Sequence, residues 1–479
     1  MIEKTSWPVW KWFLLWSSVL LPWMLIRGYD ASWPASRPPD LQPLQPLPLV
    51  TIAIDAVSKE AATGLQQPMP EGQTSSWAPD YDTLHVTWGH PWQLEGNSKA
   101  WFRMDGLFRK LLQSSHAGVD IFHWGDSQIE GDRITGTLRA SFQQSWGGTG
   151  PGWVLPAMPA PSFAMKPTDV RSIRRRAGFG RGRDPSALRL PFFAVNDLPG
   201  GTQWEVSANP AGHDTQHGWT HTMVWSESLQ PWNVKMLGQI LQPDEPRELD
   251  EPRELDEPRE LDAHDEHDAP LHRIPTWIHI GEHSGLTLES PTDHSTLLGV
   301  NLTSASGVHI HNVPLRGSSG TLFDDVPEED WSILRMLHNV GLVILQFGGN
   351  AVPSLEGEQA AQRYARAIET NIRHIQDQLP GIPIVFIGPS DMGASPSDFP
   401  GLSSVINALR EAVISNDALF WDLQSVMGGP GSMATWMNAG LAGQDGIHFT
   451  PRGARVVGER LDAVLRQAGR NRVTRDRKP

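Results

Sequence analysis

The chain of 479 residues has no cysteine and only three tyrosines against 21 tryptophans. Without cysteine, disulfides and thiolate chemistry are excluded, and any metal site has to be built from His, Asp or Glu. Charge is uninformative in a different way. The formal net charge is −15, yet thirteen acids and three arginines between residues 244 and 268 contribute −10 of it. The remainder is mildly acidic and identifies no charged partner. Long amphipathic helices are missing from about 150 to 315. The tryptophan excess is a hint of carbohydrate-facing or interfacial surface, because the indole joins an apolar body to a polar N–H, although Trp is also a core residue.

What is present begins with "KWFLLWSSVLLPWMLIR", whose apolar run of fifteen residues, 12–26, follows Lys4 and Lys11 and precedes Arg27. No small-x-small cleavage site follows, so residues 1–29 read as a retained signal-anchor; a cleaved signal and an internal buried helix are the alternatives. The anchor and the cleaved signal both export the rest, which predicts a periplasmic body tethered to the inner membrane and makes nucleic acid an unexpected partner. The proline-rich stretch 30–50 favours extended backbone, and 30–83 reads as a loosely ordered spacer.

Folded sequence starts near residue 84. "AWFRMDGLFRKLLQSS" (100–115) has helical spacing, with Phe102, Leu107, Leu111 and Leu112 as its apolar positions. "GVDIFHW" reads as a buried strand, "GDS" as a turn, and "DRITGTLRASFQQSW" (132–146) as a helix with Ile134, Leu138 and Phe142 on one stripe. Between 157 and 311, short runs such as "GTQWEVSAN", "THTMVW", "TWIHIG", "GLTLES" and "GVHIHNVPL" are separated by Gly, Pro, Asn and Asp, which predicts an inserted β-sandwich. Within it, "EPRELD" is repeated three times in tandem; dense charge with a proline in each copy makes 243–270 a solvated, disordered loop.

Helix–strand alternation resumes after 327: "PEEDWSILRMLHN", "VGLVILQF", the long helix in "EGEQAAQRYARAIETNIRHIQDQL", "IPIVFIG", a helix near 401–415, "ALFWDL", the loop "GGPGSMATW", and a turn entering the helix of "GIHFTPRGARVVGERLDAVLRQ". Such a succession predicts a parallel sheet with helices on both faces, formed discontinuously from 84–156 and 312–468 and followed by a basic tail, 469–479.

Ligands in such sheets bind at the carboxyl ends of the strands. Three strand-end loops carry reactive groups: "GDS" with Ser127, "FGGN" with Asn350, and "DGIH" with Asp445 and His448. A serine hydroxyl needs a base, and His448 can serve; Asp445, three residues earlier, can accept from its Nδ1–H and hold the tautomer. Asn350 and the Ser127 N–H can donate to an oxyanion, and "LRGSSGT" offers Gly317 or Gly320 as a third donor.

These motifs, in this order, resemble those of the SGNH, or GDSL-like, hydrolases. "HWGDSQ" matches the nucleophile block, "RGSSGT" the "GxSGxT" block, "FGGN" the asparagine block and "DGIH" the terminal DxxH. The resemblance implies a flavodoxin-like three-layer α/β/α domain with Ser127, Asp445 and His448 as catalytic residues. It also implies an oxyanion hole of Ser127, Gly320 and Asn350, with no metal or cofactor. Gln128 departs from the "GDSL" form. A β domain between the first two blocks, similar to a carbohydrate-binding module, and "GGTGPGWVLP" (147–156) are similar to features of periplasmic peptidoglycan O-acetylesterases. The resemblance therefore implies an esterase acting on an O-acetylated envelope glycan through an acetyl-serine. A glycan O-acetyltransferase with the same triad and a non-catalytic, membrane-tethered glycan-binding protein are the alternatives.

Three other features read more plainly. His309 and His311 in "VHIHN" share one strand face, read as partly exposed rather than as a metal pair. "HDEHD" (264–268) falls in the solvated loop. The arginine-rich "RSIRRRAGFGRGR" (171–183) reads as a solvated loop before it reads as a contact for an anionic glycan or a lipid headgroup.

Overall fold

A computed structural model describes residues 94–228, 230, 232–236, 239–241 and 276–475. The expected signal-anchor, the proline-rich spacer and the acidic repeat loop lie outside these residues. No helix among the described residues is long and apolar enough to cross a membrane.

The described chain opens with strand β1 (Leu94–Glu95), helix α1 (Ser98–Leu112), strand β2 (Val119–Gly125) and helix α2 (Arg133–Trp146). Asn97 caps α1 by accepting from the Ala100 N–H at 3.0 Å. Its buried stripe is Ala100, Met104, Leu107 and Leu111. Phe102 is 69% exposed and Leu112 41%, so these two positions lie off the stripe expected to hold them. Ile134, Leu138 and Phe142 of α2 are buried as their spacing demands.

Eleven strands follow: β3 (Gly152–Val154), β4 (Met165–Pro167), β5 (Arg174–Ala177), β6 (Ala194–Leu198), β7 (Gln203–Ala208), β8 (Trp219–Ser226), β9 (Asn233–Met236), β10 (Gln239–Leu241), β11 (Thr276–His283), β12 (Gly285–Glu289) and β13 (Ser295–Thr303). They form two sheets, ordered β10-β9-β12-β7-β4 and β11-β8-β13-β6-β5, with β3 added against β13. Every pairing in both is antiparallel. Trp204 and Leu288 of one sheet, and Trp225 and Val300 of the other, lie in one buried apolar cluster. Trp124, Trp204, Trp219, Trp225, Trp232 and Trp331 are among the most deeply buried side chains. Much of the tryptophan excess therefore supplies core volume. The arginine-rich segment contains strand β5, and Arg176 pairs with both Asp184 and Asp197.

The chain then returns to the first layer through β14 (Val308–Pro314), α3 (Glu328–Leu337), β15 (Val340–Gln346), α4 (Glu358–Gln378), β16 (Ile384–Ile387), α5 (Leu402–Ser415), β17 (Leu419–Trp421), α6 (Leu423–Met427), α7 (Ser432–Asn438) and α8 (Pro451–Arg475). The segment "GGPGSMATW", expected as a loop, contributes the start of α7. The sheet order is β1-β17-β16-β15-β2-β14, parallel from β14 to β17, with β1 antiparallel at the edge. Counting only the parallel strands in chain order gives 2-1-3-4-5, a doubly wound arrangement.

Alternation along the strands splits the core in two. Ile121, Leu342, Val385 and Leu419 face a cluster shared with α1, α2 and α8. Phe122, Val343, Phe386 and Phe420 face one shared with α3, α4 and α5. Helices thus cover both faces, as parallel sheets require.

Strand pairing moves the boundary expected at 311/312. "VHIHNVP" is the parallel edge strand β14, paired with β2 from Val308↔Val119 to Pro314↔Gly125, and all seven residues are buried. Conversely, β3, expected in the α/β part, pairs with β13. Buried polar contacts join the layers: Trp124 Nε1–H donates to Pro191 O at 2.9 Å, and Arg189 pairs with Asp330 at 2.8 Å.

Candidate active site

Sheet order reverses between β2 and β15, and it is there that loops at the carboxyl ends of a doubly wound sheet open a crevice. Ser127 follows β2 and Asn350 follows β15. Asp126 starts the 3-10 turn Ser127–Asp132 by accepting from Gln128 N–H at 2.9 Å, while its own N–H donates to Gln346 O at 3.1 Å. The hydroxyl-bearing residue is thereby fixed one step beyond the sheet, half-buried at its edge. Burial pushes the Asp126 carboxyl up to about 6.

Ser127 Oγ lies 2.9 Å from His448 Nε2, and His448 Nδ1 lies 2.7 Å from Asp445 Oδ2. Ser127 is 321 residues from His448 in sequence. The second oxygen of Asp445 accepts from the Ile447 and His448 N–H groups, each at 3.0 Å. Burial works to raise the Asp445 carboxyl, but the bond from His448 and the two backbone donors outweigh it and hold the group down at about 2. Ionised Asp445 accepts the Nδ1–H, leaving the Nε2 lone pair toward the serine hydroxyl. The His448 and Asp445 side chains are 42% and 50% exposed, so solvent and ligand can reach the pair.

The two glycines weighed for the third donor differ in surroundings. Both have positive φ, 78° at Gly317 and 79° at Gly320. A Cβ on Gly317 would meet nothing within 4 Å, whereas one on Gly320 would lie 2.6 Å from the Phe347 ring. Gly320 is packed beside the residue that leads into "GGN", and its N–H donates to Ser318 Oγ at 3.1 Å. Asn350 Nδ2 donates to Ser318 O at 3.1 Å, so both expected donors converge on Ser318.

Two contributors make contacts that the sequence does not foretell, although Gln128 stands out there as the departure from the "GDSL" form. Gln128 is buried, and its Nε2 donates to Ile447 O at 2.6 Å while its Oε1 accepts from Phe449 N–H at 3.4 Å. Arg133 donates to Phe449 O at 2.8 Å and to Glu130 O at 3.0 Å. Both reach across more than 300 residues of chain to the His448 loop. No periodicity or local motif marks such a contact.

His309 and His311 correct an expectation. Both are buried rather than on a partly exposed face. Asp120 Oδ1 lies 3.3 Å from His309 Nδ1, 2.9 Å from His311 Nε2 and 3.2 Å from His338 Nδ1. Asp120, His311 and His338 bring one potential ligand atom each within 4.8 Å of the others. Trp153 Nε1–H donates to His338 Nε2 at 3.1 Å, which puts the His338 proton on Nδ1, facing Asp120. Hydrogen bonding therefore accounts for that face of the group. Burial lowers His311 to about 4 despite Asp120 beside it; Asp120 itself, although burial opposes ionisation, is held well below the ordinary carboxylate range by the imidazoles.

No family profile matches the chain, and no curated protein does. Among solved structures, a peptidoglycan O-acetylesterase superposes with a TM-score of 0.58 at 21% identity, covering 78% of this chain and 98% of its own. A protein described as a GDSL-like lipase, from Parabacteroides merdae, gives 0.28 at 16% identity over 33% of this chain and 74% of its own. A carbohydrate acetylesterase from Sinorhizobium meliloti gives 0.25 at 12% identity over 33% and 78%. The first of these shares the chain path, and the four motif blocks lie on the loops that path brings to one sheet edge. The chain shares the fold of that peptidoglycan O-acetylesterase structure, and its motif blocks resemble those of the SGNH, or GDSL-like, hydrolases.

Proposed function

We propose that the protein is a serine esterase that removes O-acetyl groups from a cell-envelope glycan, with peptidoglycan as the substrate. The observation that carries this reading is the unbroken relay from Ser127 Oγ through His448 to Asp445, at 2.9 and 2.7 Å, at the crevice where sheet order reverses. The acetylated glycan is taken from the solved structure that shares the fold over most of this chain, a peptidoglycan O-acetylesterase. The two antiparallel sheets come, in sequence, between the Ser127 and Gly320 blocks; we read them as an inserted β-sandwich and assign to it the gripping of the sugar chain. Placement in the envelope rests on the apolar run 12–26 and the proline-rich stretch after it.

In this mechanism His448 takes the Ser127 proton as Oγ attacks the acetyl carbonyl. The oxyanion is received by the N–H groups of Ser127 and Gly320 and by Asn350 Nδ2 once the Gly320 and Asn350 donors exchange Ser318 for the ligand. Asp445 stabilises the imidazolium, which then protonates the departing sugar oxygen. Water, activated by the same histidine, cleaves the acetyl-serine and releases acetate.

The test is turnover of p-nitrophenyl acetate and acetate release from O-acetylated peptidoglycan, with Ser127→Ala as control. A loss of at least about 10³-fold in kcat is expected for the variant. Equal rates in the two proteins would refute the enzymatic reading. Ester turnover without acetate release from the glycan would refute only the substrate.

A further inference from the structure

We propose that Gln128, the residue that departs from the GDSL form, is a positioning residue that holds His448 in line between Ser127 and Asp445. The inference rests on the triad reading above. Gln128 is adjacent to Ser127 and is buried at 7% exposure. Its amide spans His448: Nε2 donates to the carbonyl of Ile447 on one side at 2.6 Å, and Oε1 accepts from the N–H of Phe449 on the other at 3.4 Å.

One planar group therefore grips the peptide units flanking the base, from the turn that carries the nucleophile. The backbone of His448 itself is committed elsewhere. Its N–H goes to Asp445 Oδ1 at 3.0 Å and its carbonyl accepts from Gly443 N–H at 2.8 Å. Those bonds lie within the His448 loop and fix its internal shape. They do not fix its distance from Ser127. Gln128 and Arg133 supply bonds from the nucleophile side, and Gln128 reaches both flanks of the histidine. A leucine there has similar bulk but neither donor nor acceptor, so it would fill the space and release the loop.

The pair of bonds gives a chemical signature. A glutamate at 128 reproduces both bonds when protonated, because a carboxylic acid has one O–H to donate and one oxygen left to accept. When ionised it loses the donor and sets a negative oxygen against the Ile447 carbonyl. Leucine supplies the packing at every pH, so a low-pH recovery in Gln128→Glu together with a loss in Gln128→Leu separates the paired bonds from packing alone.

The experiment compares the full-length protein with Gln128→Leu and Gln128→Glu. It reads kcat and KM for p-nitrophenyl acetate from pH 5 to 9, thermal melting, and the low-field NMR resonance of the His448 Nδ1 proton. Gln128→Leu is expected to melt cooperatively and keep its KM while kcat falls about 10- to 100-fold, as for a misplacement of about 1 Å. Its low-field resonance should persist, because the His448–Asp445 bond lies within the loop, whereas Gln128 sets the distance of that loop from Ser127. Gln128→Glu should recover activity relative to the parent as pH falls and the new carboxyl protonates.

Unchanged kcat in Gln128→Leu, or a Gln128→Glu to parent ratio that is flat with pH, would overturn the proposal. Should Gln128→Leu fail to fold, the ratio for Gln128→Glu decides alone. If the parent protein turns over no faster than Ser127→Ala, the esterase reading fails instead. A crystal structure of Gln128→Leu then still tests Gln128: an unchanged Ser127 Oγ–His448 Nε2 separation of 2.9 Å would overturn the positioning role.

Discussion

Strand β2 carries a His–Asp arrangement at each end. Beyond its carboxyl end, Ser127 meets His448 and Asp445, half open to solvent. At its amino end, Asp120 gathers His309, His311 and His338 in the sealed core. The residue types and separations are alike, with 2.7 Å between His448 and Asp445 and 2.9 Å between His311 and Asp120. The difference is what each imidazole can still do. His448 retains an Nε2 aimed at a hydroxyl and a carboxylate that supports a positive ring. His311 is lowered to about 4 by burial and stays neutral at pH 7, with its Nε2 committed to Asp120. A His–Asp pair is chemistry where the second nitrogen meets a reactive group and solvent lowers the cost of charge. In a dry core it is a strut.

Substitutions at the two ends should separate these roles. Asp445→Asn is expected to have the largest effect, a fall in kcat of about 10⁴-fold through loss of the required tautomer, the size seen for the equivalent change in a chymotrypsin-like triad. Melting should change little because the side chain is half exposed. A kcat within tenfold of the parent would break the distinction. Asp120→Ala should do the opposite. It strips the shared acceptor from three buried imidazoles, so a stability loss of about 1–3 kcal/mol per orphaned donor is expected in urea titrations, with kcat per folded molecule retained.

The smallest effect is acid sensitivity. His311 and His123 are lowered by burial to about 4 and about 3, so below the ordinary value of about 6.5 the unfolded chain binds protons that the folded one refuses. Stability should fall from pH 6.5 toward pH 4 by about 1.4 kcal/mol per pH unit for each such imidazole. Asp126, raised to about 6, holds an extra proton when folded and offsets one of them below that pH. Asp445, lowered to about 2, adds its own loss only below the ordinary Asp value of about 3.9. Urea midpoints at pH 7 and pH 5 measure the net slope, and a flat result would remove the contrast between the buried and open histidines.

Much of the α/β architecture was legible in the sequence because its helices and strands write their periods locally. Ile134, Leu138 and Phe142 mark the buried face of α2, and "VGLVILQF" reads as an apolar strand, which it is, buried at every position from Val340 to Gln346. The strand β14 was not legible in the same way. Its alternating histidines imitate a half-exposed surface, and Asp120, about 190 residues earlier, supplies the acceptor that lets them be buried. The resemblance of "RGSSGT" singles out Gly320, but the Phe347 ring packed beside it is placed by no local pattern.

By itself the sequence determined the order of its reactive loops, the interruption by a β-rich segment, and Ser127, Asn350, Asp445 and His448 as the residues to watch. Those features depend on neighbours along the chain, where backbone preference and hydrophobic period act. Only the tertiary structure decided that Ser127 and His448 lie within 2.9 Å, that Gln128 grips both flanks of His448, and that His309, His311 and His338 form a core node. These are contacts across more than 180 residues, and they are set by how layers pack rather than by any local preference.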